Sequence, residues 1–262
     1  MSNETNESSV RVTRVVHASV LLDFNGKTIL TDPWFSQKGG YYWGEPLGVT
    51  IDGLPKLDAV VASHSHYDHY DLGSFSTYQF KADVPFGVKS GMGKLARDKG
   101  FNNVQELDPW QTISLGPFKV TATPAKHSVP ENTYVIQADG LSVFFGGDTL
   151  FIPGLSEIAK RFPKIDVALL PVNGLEIRPL FNRKVVMNDR EAAELCSILK
   201  PRLAIPIHYA FTAGRLRDHL LLKYTGTTKG FEAEVPKQSP ATQVKILSPG
   251  QSTEIRSSGM KN

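Results

Sequence analysis

The chain has 262 residues, 40% of them hydrophobic, and a formal net charge of +3. That is enough apolar material for one α/β core, and too little charge, with no long basic run, to call for nucleic acid as a partner. The single cysteine, Cys196, excludes an internal disulfide framework and suits a reducing compartment.

Residues 1–9 and 257–262 read as flexible ends around a single domain spanning 10–256. The polar, acidic opening MSNETNESS has neither the basic nor the apolar region of a signal peptide. No apolar run approaches the roughly 20 residues of a membrane span, so the expected location is the cytoplasm. From Val10 to Thr31 the pattern is strand, and Asn25-Gly26 between Val20–Phe24 and Lys27–Thr31 marks a type I′ hairpin. Residues 33–55, rich in Trp, Tyr, Gly and Pro, read as a long irregular loop of the kind that carries function. Leu57–Ala62 is a short apolar run, expected as a buried strand.

At the end of that run stands Ser63-His64-Ser65-His66-Tyr67-Asp68-His69, an H-x-H-x-D-H cluster. In extended backbone residues i and i+2 face the same side, so His64 and His66 can reach one ion. A turn afterwards would face Asp68 and His69 to a second. Imidazole and carboxylate suit zinc, and also manganese or iron.

Further on, a strand near Val84–Val88 leads to a helix over Ser90–Lys99, and an alternating strand Phe118–Thr123 runs into Pro124-Ala125-Lys126-His127. A second hairpin, Thr133–Ala138 and Leu141–Phe145 around Asp139-Gly140, ends in Gly146-Gly147-Asp148. A helix over Leu155–Arg161 and a strand over Asp166–Leu170 follow. Asn188-Asp189-Arg190-Glu191 forms a capping box before a helix over Ala192–Leu199, which Pro201 stops. Cys196 falls in the apolar pattern of that helix and reads as a buried, inert thiol. Leu203–Ile207 is a strand ending at His208. A last helix over Ala213–Lys223 and short strands near Val244 and Thr253 close the chain. His219 falls in that last helix and reads as structural or exposed. Strand after strand thus ends in a metal-ligand residue: His64, His127, Asp148 and His208.

In this order the cluster, the isolated His127, the Gly-Gly-Asp148 turn and the Pro-Ile-His208 strand end resemble the metallo-β-lactamase superfamily over nearly the whole chain. The resemblance implies a four-layer αββα sandwich with two divalent cations at one edge. His64, His66 and His127 would hold the first, Asp68, His69 and His208 the second, and Asp148 both. Zinc is the expected metal. It also implies a metal-bridged hydroxide as nucleophile, with Asp68 as the candidate catalytic residue that orients it or takes its proton, or serves as a ligand only.

Within the superfamily, His17-Ala18-Ser19-Val20-Leu21-Leu22 and Ile29-Leu30-Thr31-Asp32-Pro33 look like the branch holding N-acyl phosphatidylethanolamine phospholipase D and the ascorbate-phosphate lactonases. That likeness places Asp32 behind the metal ligands as a supporting carboxylate. His17 would support the ligands, approach substrate, or simply end a strand.

The expected activity is hydrolysis of an ester-type bond, a lactone or a phosphodiester, in a small molecule. The competing reading is a catalytically silent metal-binding or regulatory protein of the same fold. A redox member using iron lacks a flavin or iron–sulfur motif. Trp34, Phe35, Tyr41, Tyr42 and Trp43 are candidates for an apolar pocket wall. Lys126, Arg178, Arg183 and Lys184 are candidates for holding a phosphate or carboxylate. A homo-oligomer stays open.

Overall fold

A computed structural model describes residues 8–257. Residues 1–7 and 258–262, most of the two expected flexible ends, lie outside the described residues; Ser9 already belongs to the first strand. Two seven-stranded sheets face each other.

The first sheet contains β1 (Ser9–Val16), β2 (Ser19–Phe24), β3 (Lys27–Thr31), β4 (Ala59–Ala62), β5 (Phe86–Lys89) and β6 (Val104–Leu107) in that spatial order, with β17 (Ser252–Arg256) beside β1. The second contains β7 (Thr112–Leu115), β8 (Phe118–Pro124), β9 (Asn132–Ala138), β10 (Leu141–Phe145), β11 (Val167–Pro171), β14 (Leu203–Ile207) and β16 (Gln243–Val244). Both expected hairpins form as read: Asn25 and Gly26, and Asp139 and Gly140, all have positive φ. That is the conformation a type I′ turn demands and Asn-Gly or Asp-Gly accepts most readily.

Alternation along the strands divides the apolar residues among three layers of core. Val12, Leu22, Ile29 and Val61 from the first sheet meet Val120, Ile136, Val143, Leu169 and Ile205 from the second, all buried between the sheets. The opposite face of the first sheet (Val60, Ala62, Phe86, Val88) is covered by α1 (Leu72–Phe75), α2 (Gly93–Asp98) and part of the loop after β3. The opposite face of the second (Val135, Phe144, Ala168, Leu170) is covered by α3 (Ser156–Arg161), α4 (Asp189–Leu199) and α6 (Thr228–Gln238). The result is the αββα sandwich.

Besides β6 and β7, where no strand was read, three features depart from the sequence reading. The helix over 213–223 is shorter, α5 (Arg215–Leu221), and is not the last: α6 follows, with Gly230 and Pro236 inside it. Those two helix-breaking residues masked it, and burial of Phe231 and Val235 against the second sheet's cover overrides their propensity. The helix after β5 is also shorter than read, beginning at Gly93. Finally, a small three-stranded sheet of β12 (Leu175–Ile177), β13 (Arg183–Lys184) and β15 (Leu222–Tyr224) was not anticipated. Two- and three-residue strands leave no periodic signal.

Candidate metal centre

Strand direction places the site. β1, β3 and β4 of one sheet and β8, β10 and β14 of the other all run toward the same edge. Their ends deliver His17, Asp32 and His64 from one sheet, and His127, Asp148 and His208 from the other. Each is anchored by a strand with buried side chains on both faces, which gives a rigid base for a metal site. Three of these positions are held at positive φ although none is glycine: His17 (+55°), Asp32 (+37°) and His208 (+54°). Non-glycine residues stay in that region only when their surroundings hold them.

His64, His66 and His127 come together as expected. His66 Nδ1 lies 2.9 Å from His64 Nε2 and 3.1 Å from His127 Nε2. The protons on two of these rings are fixed from behind. Ser63 Oγ donates its one proton to Asp32 Oδ2 at 2.7 Å, so His64 Nδ1, 2.9 Å away, must donate to Ser63 Oγ. His127 Nδ1 donates to the Val185 carbonyl at 2.7 Å. Both Nε2 atoms therefore present lone pairs toward His66 Nδ1. One proton on His66 can satisfy at most one of them, whereas a cation satisfies all three. The spacing is close to the about 3.3 Å that ligand nitrogens take around tetrahedral zinc.

Asp68, His69 and His208 gather next to this trio, together with His17. The donor atoms of the four lie within 4.8 Å of one another. Asp148 sits between the two groups. Its Oδ2 is 2.8 Å from His208 Nε2, 3.2 Å from His69 Nε2 and 3.9 Å from His127 Nε2, while its Oδ1 has no partner. Asp68 Oδ1 is likewise buried without a partner. Two buried carboxylates that each turn one oxygen to imidazole nitrogens and leave the other unpaired mark a cation-binding arrangement, since an unpaired oxygen in a dry interior is costly.

Asp32 lies behind His69 and Ser63. It is fully buried and accepts three hydrogen bonds, from Ser63 N (2.6 Å), Ser63 Oγ (2.7 Å) and His69 Nδ1 (2.6 Å). The last fixes His69 with its Nε2 toward Asp148. The sequence reading missed Glu131. It is buried, its Oε1 accepts from Asp148 N at 2.6 Å, and the same oxygen lies 3.3 Å from His64 Nδ1. Gly147 is required beside it: at φ +50°, a Cβ there would come within 2.4 Å of Glu131 Oε1. No short motif marks Glu131; its role comes from the turn that brings β9 alongside Asp148.

Electrostatics divide the two groups. Burial pushes His64 well below its ordinary range, lowers His66, and takes His127 down to about 4. His69 goes the other way: against the cost of burial, Asp148, Asp68 and Asp32 raise it well above the ordinary imidazole value. Asp68, despite burial, is held below the carboxylate range by His69 and His17. Glu131 is pushed well above it by burial and the neighbouring Asp148.

The donors open into a cavity of about 460 Å³ that His66, Asp68, His127, Asp148 and His208 line at its base. Its walls are Leu175 and Ile177 of β12, Leu180, Val185, Phe211, and Leu221 and Leu222 of α5 and β15, with Tyr41 from the long loop. Of the loop aromatics, only Tyr41 lines the cavity. Trp34 and Phe35 are core residues, Trp43 packs against the core, and Tyr42 is exposed. Of the four proposed cations only Arg183 reaches the cavity, joined by Arg217, which was not foreseen. Lys184 pairs with Glu191 at 2.8 Å, and Arg178 Nε donates to the Leu222 carbonyl at 2.7 Å. Lys126 contributes its backbone amide to Thr149 Oγ1. His219 is exposed on α5.

Residues 27–209 match the family model of the β-lactamase superfamily domain. A UPF0173 metal-dependent hydrolase of Deinococcus radiodurans is 27% identical over 259 residues, covering 94% of this chain and all of that protein. Igni18, a metallo hydrolase from the archaeon Ignicoccus hospitalis, superposes with a TM-score of 0.73 at 22% identity, over 94% of this chain and 98% of its own. CmlA, a diiron β-hydroxylase from Streptomyces venezuelae, superposes with a TM-score of 0.72 at 20% identity, over 95% of this chain and 54% of its own. At these identities the two structures establish the fold, and neither chooses the narrower branch.

Proposed function

The chain belongs to the β-lactamase superfamily, and from that premise we propose that it is a metal-dependent hydrolase. It would hold two divalent cations and cleave an ester-type bond, a lactone or a phosphodiester, in a small molecule. The observation that carries this reading is the convergence of two donor groups on Asp148 at the base of one cavity. His64, His66 and His127 would hold one cation and Asp68, His69 and His208 the other, with Asp148 shared. The nitrogen-rich donor set suits zinc first and accommodates manganese or iron.

Bound there, such a pair supplies an activated water near neutral pH and an electrophilic hold on the scissile oxygen. The chain's own groups do the rest. Asp32, Ser63 and the Val185 carbonyl keep His69, His64 and His127 in the tautomer with Nε2 free. Asp68, which lines the cavity, would orient the attacking water or accept its proton, or serve as a ligand only. The leucine, isoleucine and phenylalanine wall excludes bulk water and fits an apolar substrate body. Arg183 and Arg217 have no carboxylate partner among the described residues and fit an anionic group on the same substrate. Among the described residues no helix is long and apolar enough to cross a membrane.

The test is metal content after reconstitution, paired with hydrolysis of bis-p-nitrophenyl phosphate and simple lactones with and without chelator. Two equivalents and chelator-sensitive turnover are expected, with turnover lost in His66→Ala and Asp148→Ala. Less than one equivalent defeats the reading. Two equivalents with no turnover on a broad ester panel would favour the catalytically silent alternative.

A further inference from the structure

The second donor group holds one histidine more than the reading above uses. His17 is fully buried, and neither ring nitrogen has a hydrogen-bond partner. Its Nε2 is 3.4 Å from Asp68 Oδ2, and its ring centroid lies 4.1 Å from that of His208 and 5.1 Å from that of His69. Its donor atom belongs to the set with Asp68, His69 and His208 whose members all lie within 4.8 Å of one another. The other ring neighbours are Trp34 at 5.0 Å, whose indole Nε1 is likewise buried without a hydrogen-bond partner, and Phe211 at 5.9 Å.

The backbone is built to keep the ring in this position. His17 occupies the turn between β1 and β2 at φ +55°, a conformation that needs outside support in a residue with a β-carbon. Its amide donates to Glu45 Oε1 at 3.4 Å, and its carbonyl accepts from His208 N at 3.5 Å. Glu45 is itself held by the buried Arg14, whose Nη1 donates to Glu45 Oε2 at 2.8 Å. A chain that only needed a turn there would place Gly or Asn at that position. An imidazole with two unpaired nitrogens in a dry interior is retained where something binds it.

We propose that His17 is a direct ligand of the second cation. This rests on the two-cation reading. The protein donors then divide into His64, His66 and His127 for the first cation and His17, Asp68, His69 and His208 for the second, with Asp148 shared. With Asp148 counted at both, the second position would have five protein donors and the first four, which would leave the first the more open to water and substrate oxygen.

Cadmium-113 loaded into the full-length protein tests this directly, because one-dimensional and ¹H–¹¹³Cd correlation spectra report which imidazole ring protons couple to which ion. The expected result is two cadmium signals, each coupled to three histidines: His64, His66 and His127 on one, and His17, His69 and His208 on the other. In His17→Asn, whose side chain tolerates positive φ but is too short to reach, one set of couplings disappears. The second equivalent then binds at least about 100-fold more weakly, beyond the loss of a merely supporting group, while the first is unchanged. A second cadmium coupled to only two histidines overturns the proposal, whatever the variant does, and leaves the two-cation reading intact. Wild-type protein that takes up less than one equivalent overturns both. Should His17→Asn fail to fold, the wild-type couplings decide alone.

Discussion

Replacing Asp32 by Asn tests the inner support of the centre without changing its shape. Asp32 accepts from Ser63 N, Ser63 Oγ and His69 Nδ1 with its two carboxylate oxygens. A carboxamide has one oxygen and one NH₂, so at least one of these donors must face another donor. The less costly placement keeps the oxygen toward His69 and Ser63 Oγ and turns NH₂ against the Ser63 amide. That conflict costs about 1–3 kcal/mol, and losing charge assistance on the two surviving bonds costs about 1 kcal/mol each. The metal-free protein should lose about 3–5 kcal/mol, a large share of the stability of an ordinary domain, and melt roughly 10 °C lower. His69, no longer held by an anion, should bind its cation about 10–100-fold more weakly, or about 1.4–2.8 kcal/mol. Urea denaturation of the chelated protein and a zinc titration measure the two effects separately. Stability within 1 kcal/mol of wild type together with zinc affinity within about threefold would refute the reasoning.

Gly147→Ala places a Cβ 2.4 Å from Glu131 Oε1 and 3.0 Å from Ser63 Cβ at φ +50°. A loss of about 2–4 kcal/mol in urea and weakened uptake of both metal equivalents are expected; unchanged unfolding would show that the turn relaxes freely. Metal binding should depend on pH unequally. Burial holds His64 and His66 low and His127 at about 4, so near neutrality the first group carries no proton to displace. His69, raised by its three carboxylates against the cost of burial, must expel one. As pH falls below the raised His69 value the second equivalent should weaken roughly tenfold per unit while the first barely changes. Competition with a chromophoric chelator measures both, and equal slopes would contradict the assignment. Cys196 is fully buried, and burial pushes its thiol up to about 12. It should resist a disulfide reagent at neutral pH until the protein unfolds; fast native-state labelling would show that α4 opens.

The parts of this protein that local chemistry determines were readable in its sequence. The Asn25-Gly26 and Asp139-Gly140 turns, the capping box at Asn188 and Glu191, and the strand Leu203–Ile207 all form as expected. The convergence of the His and Asp side chains was readable for a related reason: a strand end is a fixed point, so residues at strand ends meet once the strands align. What escaped depends on contacts distant in sequence. Pro236 and Gly230 argue against a helix until Phe231 and Val235 find the second sheet. Glu131 looks like any surface glutamate until β9 carries it behind Asp148. Arg217 becomes a cavity residue only because α5 folds over the site next to β12 and β15, strands too short to announce themselves. His17 was ambiguous because nothing in its neighbours tells that β1 ends against β14; the backbone contact between His17 and His208 joins residues almost two hundred positions apart.

The central claim is best tested by anomalous diffraction at the zinc edge from crystals grown with excess zinc. Two peaks are expected, one among His64, His66 and His127, the other among Asp68, His69 and His208, with the Asp148 carboxylate between them. An empty cleft, or a single peak that leaves Asp148 without a metal, would contradict the account.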